Sequence, residues 1–130
     1  MKPAGVFVYG TLKSGERAAA LAERAGIVAR VPAVAKGLVL FDLPAGYPTA
    51  VFGEGEVRGE LLYFEDLARA LVILDRYEGE EYVRVPHLVL AEGEEKLAWV
   101  YLYESEEAAR KEGGRLIRGG RWRGALPKKP

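Results

Sequence analysis

A chain of 130 residues, 49% apolar and 29% charged, is long enough to bury one hydrophobic core without covalent staples. Nineteen basic side chains balance nineteen acidic ones, so no global field draws the molecule toward nucleic acid or an anionic membrane. Cysteine is absent and histidine occurs once, at His87. Disulfides, thiolate catalysis and Cys-ligated metal are thereby excluded, and a His-based metal site or a Ser-His-Asp triad has almost no material.

Met1-Lys2-Pro3-Ala4-Gly5 runs straight into a strand without the apolar core of a signal peptide. No apolar run approaches membrane-spanning length, so a cytoplasmic protein without membrane contacts is expected. Asn and Gln are missing and Met occurs once, while Glu and Arg abound, a pattern expected of adaptation to high temperature.

In chain order, Val6-Phe7-Val8-Tyr9 reads as a short strand ending in the loop Gly10-Thr11-Leu12-Lys13-Ser14-Gly15. Glu16 to Ala25 is rich in Ala, Leu, Glu and Arg and is expected to be helical up to Gly26. A strand follows over Val34 to Phe41, then a turn-rich connection through Pro44, Gly46 and Pro48. Thr49 to Phe52 and Val57 to Phe64 read as two strands joined by a Gly53-Glu54-Gly55-Glu56 turn. After the helix Asp66 to Glu78, Tyr82 to Leu90 and Leu97 to Tyr103 form a hairpin across Glu92-Gly93-Glu94. His87 falls on the first of these arms and reads as structural. Ser105 is a suitable N-cap for a helix over Glu106 to Glu112. With hairpins joining most strands, the class is α+β around a largely antiparallel sheet or small barrel. One domain spans residues 1–130, with 113–130 forming a Gly- and Arg-rich end.

The helix Asp66 to Glu78 carries one discordant residue. Taking Leu67 as origin at about 100° per residue, Leu71, Leu74 and Glu78 return to within roughly 40° of it. Arg69 and Arg76 fall on the far side. An ionised, unpaired carboxylate on the core side costs several kcal/mol. Gly79 reads as the C-cap, so Glu78 lies at the negative end of the helix dipole, with Asp75, Glu80 and Glu81 adding like charge. All these influences raise a carboxyl pKa, which makes Glu78 a candidate proton acceptor near neutral pH. The same position also suits a side chain that curls into solvent or pairs with Arg84.

The Tyr9-Gly10-Thr11-Leu12 loop leaves a strand through a glycine, a geometry in which exposed N–H groups hold a carboxylate or phosphate. It has neither the spacing of a Walker loop nor the second and third glycines of a dinucleotide fingerprint.

Several segments together resemble one family. Val8-Tyr9-Gly10-Thr11-Leu12, Gly46-Tyr47-Pro48, Val57-Arg58-Gly59-Glu60-Leu61, Leu74-Asp75-Arg76-Tyr77-Glu78-Gly79 with Tyr82-Val83-Arg84, and Gly120-Arg121-Trp122 stand in the order of its motifs. The sequence is similar to the gamma-glutamyl cyclotransferase-like proteins, in particular short bacterial members similar to gamma-glutamylamine cyclotransferase. The resemblance implies a five- or six-stranded, mostly antiparallel barrel-like sheet with flanking helices and a pocket at one end. It maps the catalytic glutamate onto Glu78 and the loop that binds the gamma-glutamyl α-carboxylate onto Tyr9, Gly10, Thr11 and Leu12. Tyr82 matches a tyrosine lining the same pocket. The implied substrate is a small gamma-glutamyl amine or amino acid, cyclised to 5-oxoproline without a metal or organic cofactor. The leaving amine and the oligomeric state are left open by these motifs.

Two positions depart from the family pattern. Glu16-Arg17-Ala18 stands where many relatives carry an Asn, and Gly120-Arg121-Trp122 replaces a Gly-Asp-Trp pattern. Two further functional readings accompany the enzyme: a binding protein of the same fold without turnover, and an RNA-binding protein. The latter rests on the tail, where Arg115, Arg118, Arg121, Arg123, Lys128 and Lys129 occur without an acid, although Trp122 also suits an anchor on the sheet.

Overall fold

The computed structural model describes residues 2–124, which form six strands and three helices. The four-residue strand β1 (Gly5–Val8) is followed by helix α1 (Ala19–Arg24) and two long strands, β2 (Ile27–Asp42) and β3 (Pro48–Phe64). Helix α2 (Leu67–Glu78) leads into the hairpin β4 (Val83–Ala91) and β5 (Glu94–Leu102), and helix α3 (Glu106–Lys111) precedes the short β6 (Arg115–Ile117). The sheet order is β3-β1-β5-β4-β2-β6, and an additional pairing of β2 with β3 closes the first five strands into a barrel. Every pairing is antiparallel except β1 with β5, where Gly5 and Val6 lie beside Ala98 and Trp99. The expected α+β barrel-like sheet is therefore present. Among the described residues, no helix is long and apolar enough to cross a membrane.

Strand β1 shows how the pleat divides the core. Successive side chains of a strand face opposite ways. Phe7 and Tyr9 point into the barrel with Leu38, Leu61 and Val100, whereas Val6 and Val8 pack under the helices with Ala22, Leu62 and Leu74. Helix α2 meets this outer layer through Leu67, Leu71 and Leu74, the stripe the sequence periodicity defines. Asp66 caps its first turn by accepting the Arg69 N–H at 3.1 Å. Gly79 ends it with φ of 83°, a left-handed conformation that glycine adopts without a Cβ penalty.

Three elements differ from the sequence expectations. The Gly53-Glu54-Gly55-Glu56 stretch is no turn: β3 is one strand of 17 residues. In its pairing with β2, Lys36 faces Glu56 and Leu38 faces Phe52, so the extra residues form a bulge opposite Gly37 that bends the strand. The helix expected from Glu16 begins at Ala19, after consecutive turns. Strand β2 starts at Ile27 rather than Val34, because its first half pairs with β3 around the barrel. Helix α3 agrees with expectation, Ser105 Oγ accepting the Ala108 N–H at 3.1 Å. Strand β6, in the Gly- and Arg-rich end to which no element was assigned from the sequence, pairs with Leu40, Phe41 and Asp42 of β2.

Candidate active site

The end of β1, the 47–48 connection and the last turn of α2 converge on a cavity of about 280 Å³. Tyr9, Gly10, Thr11, Leu12, Glu78 and Tyr82 all line it, so the structure brings together every site residue the sequence singled out. Tyr47 lines it as well, whereas Tyr103 packs beneath, its ring 5.0 Å from that of Tyr82 and its hydroxyl donating to Glu112.

Glu78 projects from the final residue of α2 into this space and is partly buried. Burial raises its carboxyl pKa from 4.5 to about 8, and the nearby Glu81 charge adds to the effect. Asp75, also invoked from the sequence, behaves differently. Asp75 binds Arg84 through two bonds of 2.8 and 3.1 Å and accepts the Tyr101 hydroxyl at 2.7 Å. Partial burial pushes the Asp75 carboxyl up, but the bonds from Arg84 and Tyr101 outweigh it and hold the group below its ordinary range. Arg84, the partner that could have neutralised Glu78, is thus engaged by Asp75. Among the described residues, no ion pair reaches Glu78.

The loop opposite is held from several sides. Thr11 Oγ1 lies 2.6 Å from the Tyr77 hydroxyl, tying the loop to the residue before Glu78. The Leu12 carbonyl accepts from Arg30 at 3.1 Å, and the Thr11 carbonyl accepts the Ala18 N–H at 2.9 Å. By contrast, the Gly10, Thr11 and Leu12 N–H groups donate no backbone hydrogen bond among the described residues. Thr11 and Leu12 are nonetheless buried, and unpaired buried donors are uncommon. Amides without a partner beside a cavity are suited to an anion. Gly10 has no room for a side chain, since a Cβ would stand 2.7 Å from Pro48 Cγ.

Phenols form the remaining wall. Tyr9 donates to the Tyr101 carbonyl and accepts the Ala50 N–H at 3.3 Å, and Tyr82 donates to the Pro48 carbonyl at 2.7 Å. Burial raises the pKa of both, and the charge of Glu78 raises them further, so these hydroxyls stay protonated. Thr49, fully buried beneath them, lies close enough to influence both phenols without making a well-formed hydrogen bond to either.

Arg17, Tyr77, Glu81 and Tyr101 also line the cavity and were not assigned to it from the sequence. Arg17 occupies the stretch that departs from the family pattern, and its guanidinium donates to the Gly46 carbonyl at 2.8 Å. Tyr77 and Glu81 flank the Glu78-Gly79 helix end, the sequence signal by which they were accessible. His87 lies away from the cavity, bonded through Nε2 to the Lys36 carbonyl at 2.7 Å. No group of three or more His, Asp or Glu residues suited to a metal occurs among the described residues.

A closed barrel with a glycine loop facing a desolvated carboxyl defines the class of fold and pocket. Residues 6–124 match the family described as gamma-glutamyl cyclotransferase, AIG2-like, and the chain belongs to that family. An AIG2-like protein from Mus musculus superposes with a TM-score of 0.75 at 22% identity over 95% of this chain and 90% of that one. YkqA from Bacillus subtilis gives 0.68 at 26% identity, covering 93% of this chain, which spans 40% of the Bacillus protein's length. The Kluyveromyces lactis allophanate hydrolase gives 0.66 at 15% identity over 90% of this chain and 20% of its own. The fold thus also occurs within a protein of another named activity. No protein of curated function matches the sequence.

Proposed function

We propose that this protein converts a gamma-glutamyl amine or gamma-glutamyl amino acid into 5-oxoproline and the free amine, with Glu78 as general base and acid. The observation that carries this reading is the Glu78 carboxyl, pushed up to about 8, opening onto the same cavity as the Tyr9–Leu12 loop. Family membership supports it.

In this mechanism the substrate α-carboxylate rests on the Gly10, Thr11 and Leu12 amides. That contact directs the α-amino group toward Glu78. The carboxylate removes a proton from the amine, whose nitrogen attacks its own γ-carbonyl and closes a five-membered lactam. As the old amide C–N bond breaks, protonated Glu78 returns the proton to the departing amine. A carboxyl with a pKa near the working pH suits both transfers. Holding the glutamyl chain curled supplies much of the acceleration, since well-oriented intramolecular reactions reach effective molarities of about 10⁵–10⁸ M. The proton transfers are worth about 10²–10⁴-fold.

Incubation with a panel of gamma-glutamyl amines and dipeptides, followed by mass spectrometry for 5-oxoproline, tests the reaction. Turnover of at least one member is expected, with loss of about 10²–10⁴-fold in Glu78→Gln. Full turnover by that variant would reject Glu78 as the base. No product across the panel would favour the alternative of a ligand-binding homologue.

A further inference from the structure

Behind the same loop lies a second, separate groove. Its volume is about 430 Å³, and its charged lining consists of Lys13, Arg58, Arg121 and Arg123 with Glu16 and Glu60. Glu60 is paired with Arg30, which lies outside the groove, whereas Glu16 keeps its charge, so among the described residues four cations face one unpaired acid. Glu60 accepts from Arg30 at 2.9 Å and from the Ser14 N–H at 2.8 Å, while Glu16 accepts the Gly124 N–H at 3.1 Å. Among the described residues, Arg58, Arg121 and Arg123 form no ion pair. In a molecule whose net charge is zero, this is a local surplus of positive charge.

The cations stand on a pinned segment. Arg58 N–H donates to the Gly120 carbonyl at 2.7 Å, and Trp122 Nε1 donates to Asp42 at 2.8 Å. Lys13 Nζ donates to the Trp122 carbonyl from the opposite side. Gly120, with φ of 71°, passes so close to β3 that a Cβ would overlap the Glu56 carbonyl. Trp122 is buried inward, so its neighbours Arg121 and Arg123 stand outward at the groove. Burial holds the Lys13 ammonium below its usual value, and Arg121 and Arg123 add to this against the opposing pull of Glu16 and Glu60. A bound anion would relieve that repulsion.

We propose that this groove is a binding site for a small, multiply charged phosphate anion, held by Lys13, Arg58, Arg121 and Arg123. Guanidinium forks match phosphate oxygens in pairs, and their fixed backbone lowers the ordering cost of binding. The phosphate belongs to a small molecule rather than to single-stranded nucleic acid. No aromatic side chain lines the groove among the described residues, and Trp122 offers no face on which a base could stack. Arg121, the base that stands where the family pattern has an acid, gains a role here.

The test is calorimetric titration of the full chain with inorganic pyrophosphate at low and physiological salt. Saturable one-site binding is expected. Arg58→Ala and Arg121→Ala should each weaken it by about tenfold or more, the loss of one charge-assisted hydrogen bond. Lys111→Ala, on α3 away from the groove, should leave it unchanged. Circular dichroism of each variant verifies the fold. Absence of saturable binding, or equal weakening in Lys111→Ala, would overturn the proposal. So would tight binding of a single-stranded RNA oligonucleotide, lost in the same arginine variants, without saturation by pyrophosphate.

Discussion

A carboxyl group walled in by phenols is costly to ionise, and Glu78 occupies such a place. Its charge in turn acts on the phenols around it. Burial raises the pKa of Tyr9, Tyr82 and Tyr101, Asp75 raises Tyr101 further, and a charged Glu78 adds to all three, so they remain neutral hydroxyls. The sign of the stability effect follows. Because the folded-state pKa lies above 4.5, at about 8, native stability from this residue is fully present below about pH 4.5 and falls as pH rises through about 8. Glu78→Gln is therefore expected to melt increasingly above the parent protein between those values, with the difference levelling off at higher pH. Thermal melts across the series measure this; a difference independent of pH would place the carboxyl in water. At the loop, Gly10→Val is expected to raise KM at least about tenfold by displacing Pro48 and the amides of the loop. Unchanged KM in steady-state kinetics would exclude the loop from substrate binding.

Elements position these residues through a few contacts. The last turn of α2 is clasped to the barrel by Asp75, which holds Arg84 of β4 and the Tyr101 hydroxyl of β5. Asp75→Ala is expected to cost about 1 kcal/mol, since Asp75 is substantially exposed, and to lower kcat by releasing the turn that carries Glu78. A stability loss with unchanged kcat would show the clasp to be structural alone. What was legible at this scale was local. The stripe Leu67, Leu71, Leu74, Glu78 follows helical periodicity, and Gly79 marks its end, so α2 and its discordant acid were readable directly. Gly53-Glu54-Gly55 misled because a glycine pair flanked by apolar runs has the composition of a turn. Only the partner strand β2 decides that the residues bulge instead. Strand β6 is three residues whose pairing likewise resides in β2. Glu78 was the acid the sequence offered to Arg84, and the fold gives it Asp75 instead.

The barrel's closure accounts for the rest. It sets the end of β1 beside the end of α2, making one cavity from residues nearly seventy positions apart, and brings Arg17 and Tyr101 into it. No sequence pattern places those two in the pocket, because their position depends on how distant segments come together in the barrel. The C-terminal segment belongs to the same whole: Trp122 fills the barrel core beside Leu38 and Val57. Trp122→Ala is expected to cost about 3–5 kcal/mol, read as a lowered denaturant midpoint, whereas an exposed anchor would cost far less. The RNA-binding reading of the tail loses its aromatic at this scale, and residues 125–130, with Lys128 and Lys129, lie outside the described residues.

The most direct measurement is a pH titration of the carboxyl carbons by NMR on protein labelled at the glutamate δ-carbon, with Glu78→Gln as the assignment control. One resonance titrating near 8 and missing from the variant is the expected result. If every glutamate titrates in the ordinary range of about 4–5, the carboxyl is not desolvated and the proposed base is contradicted.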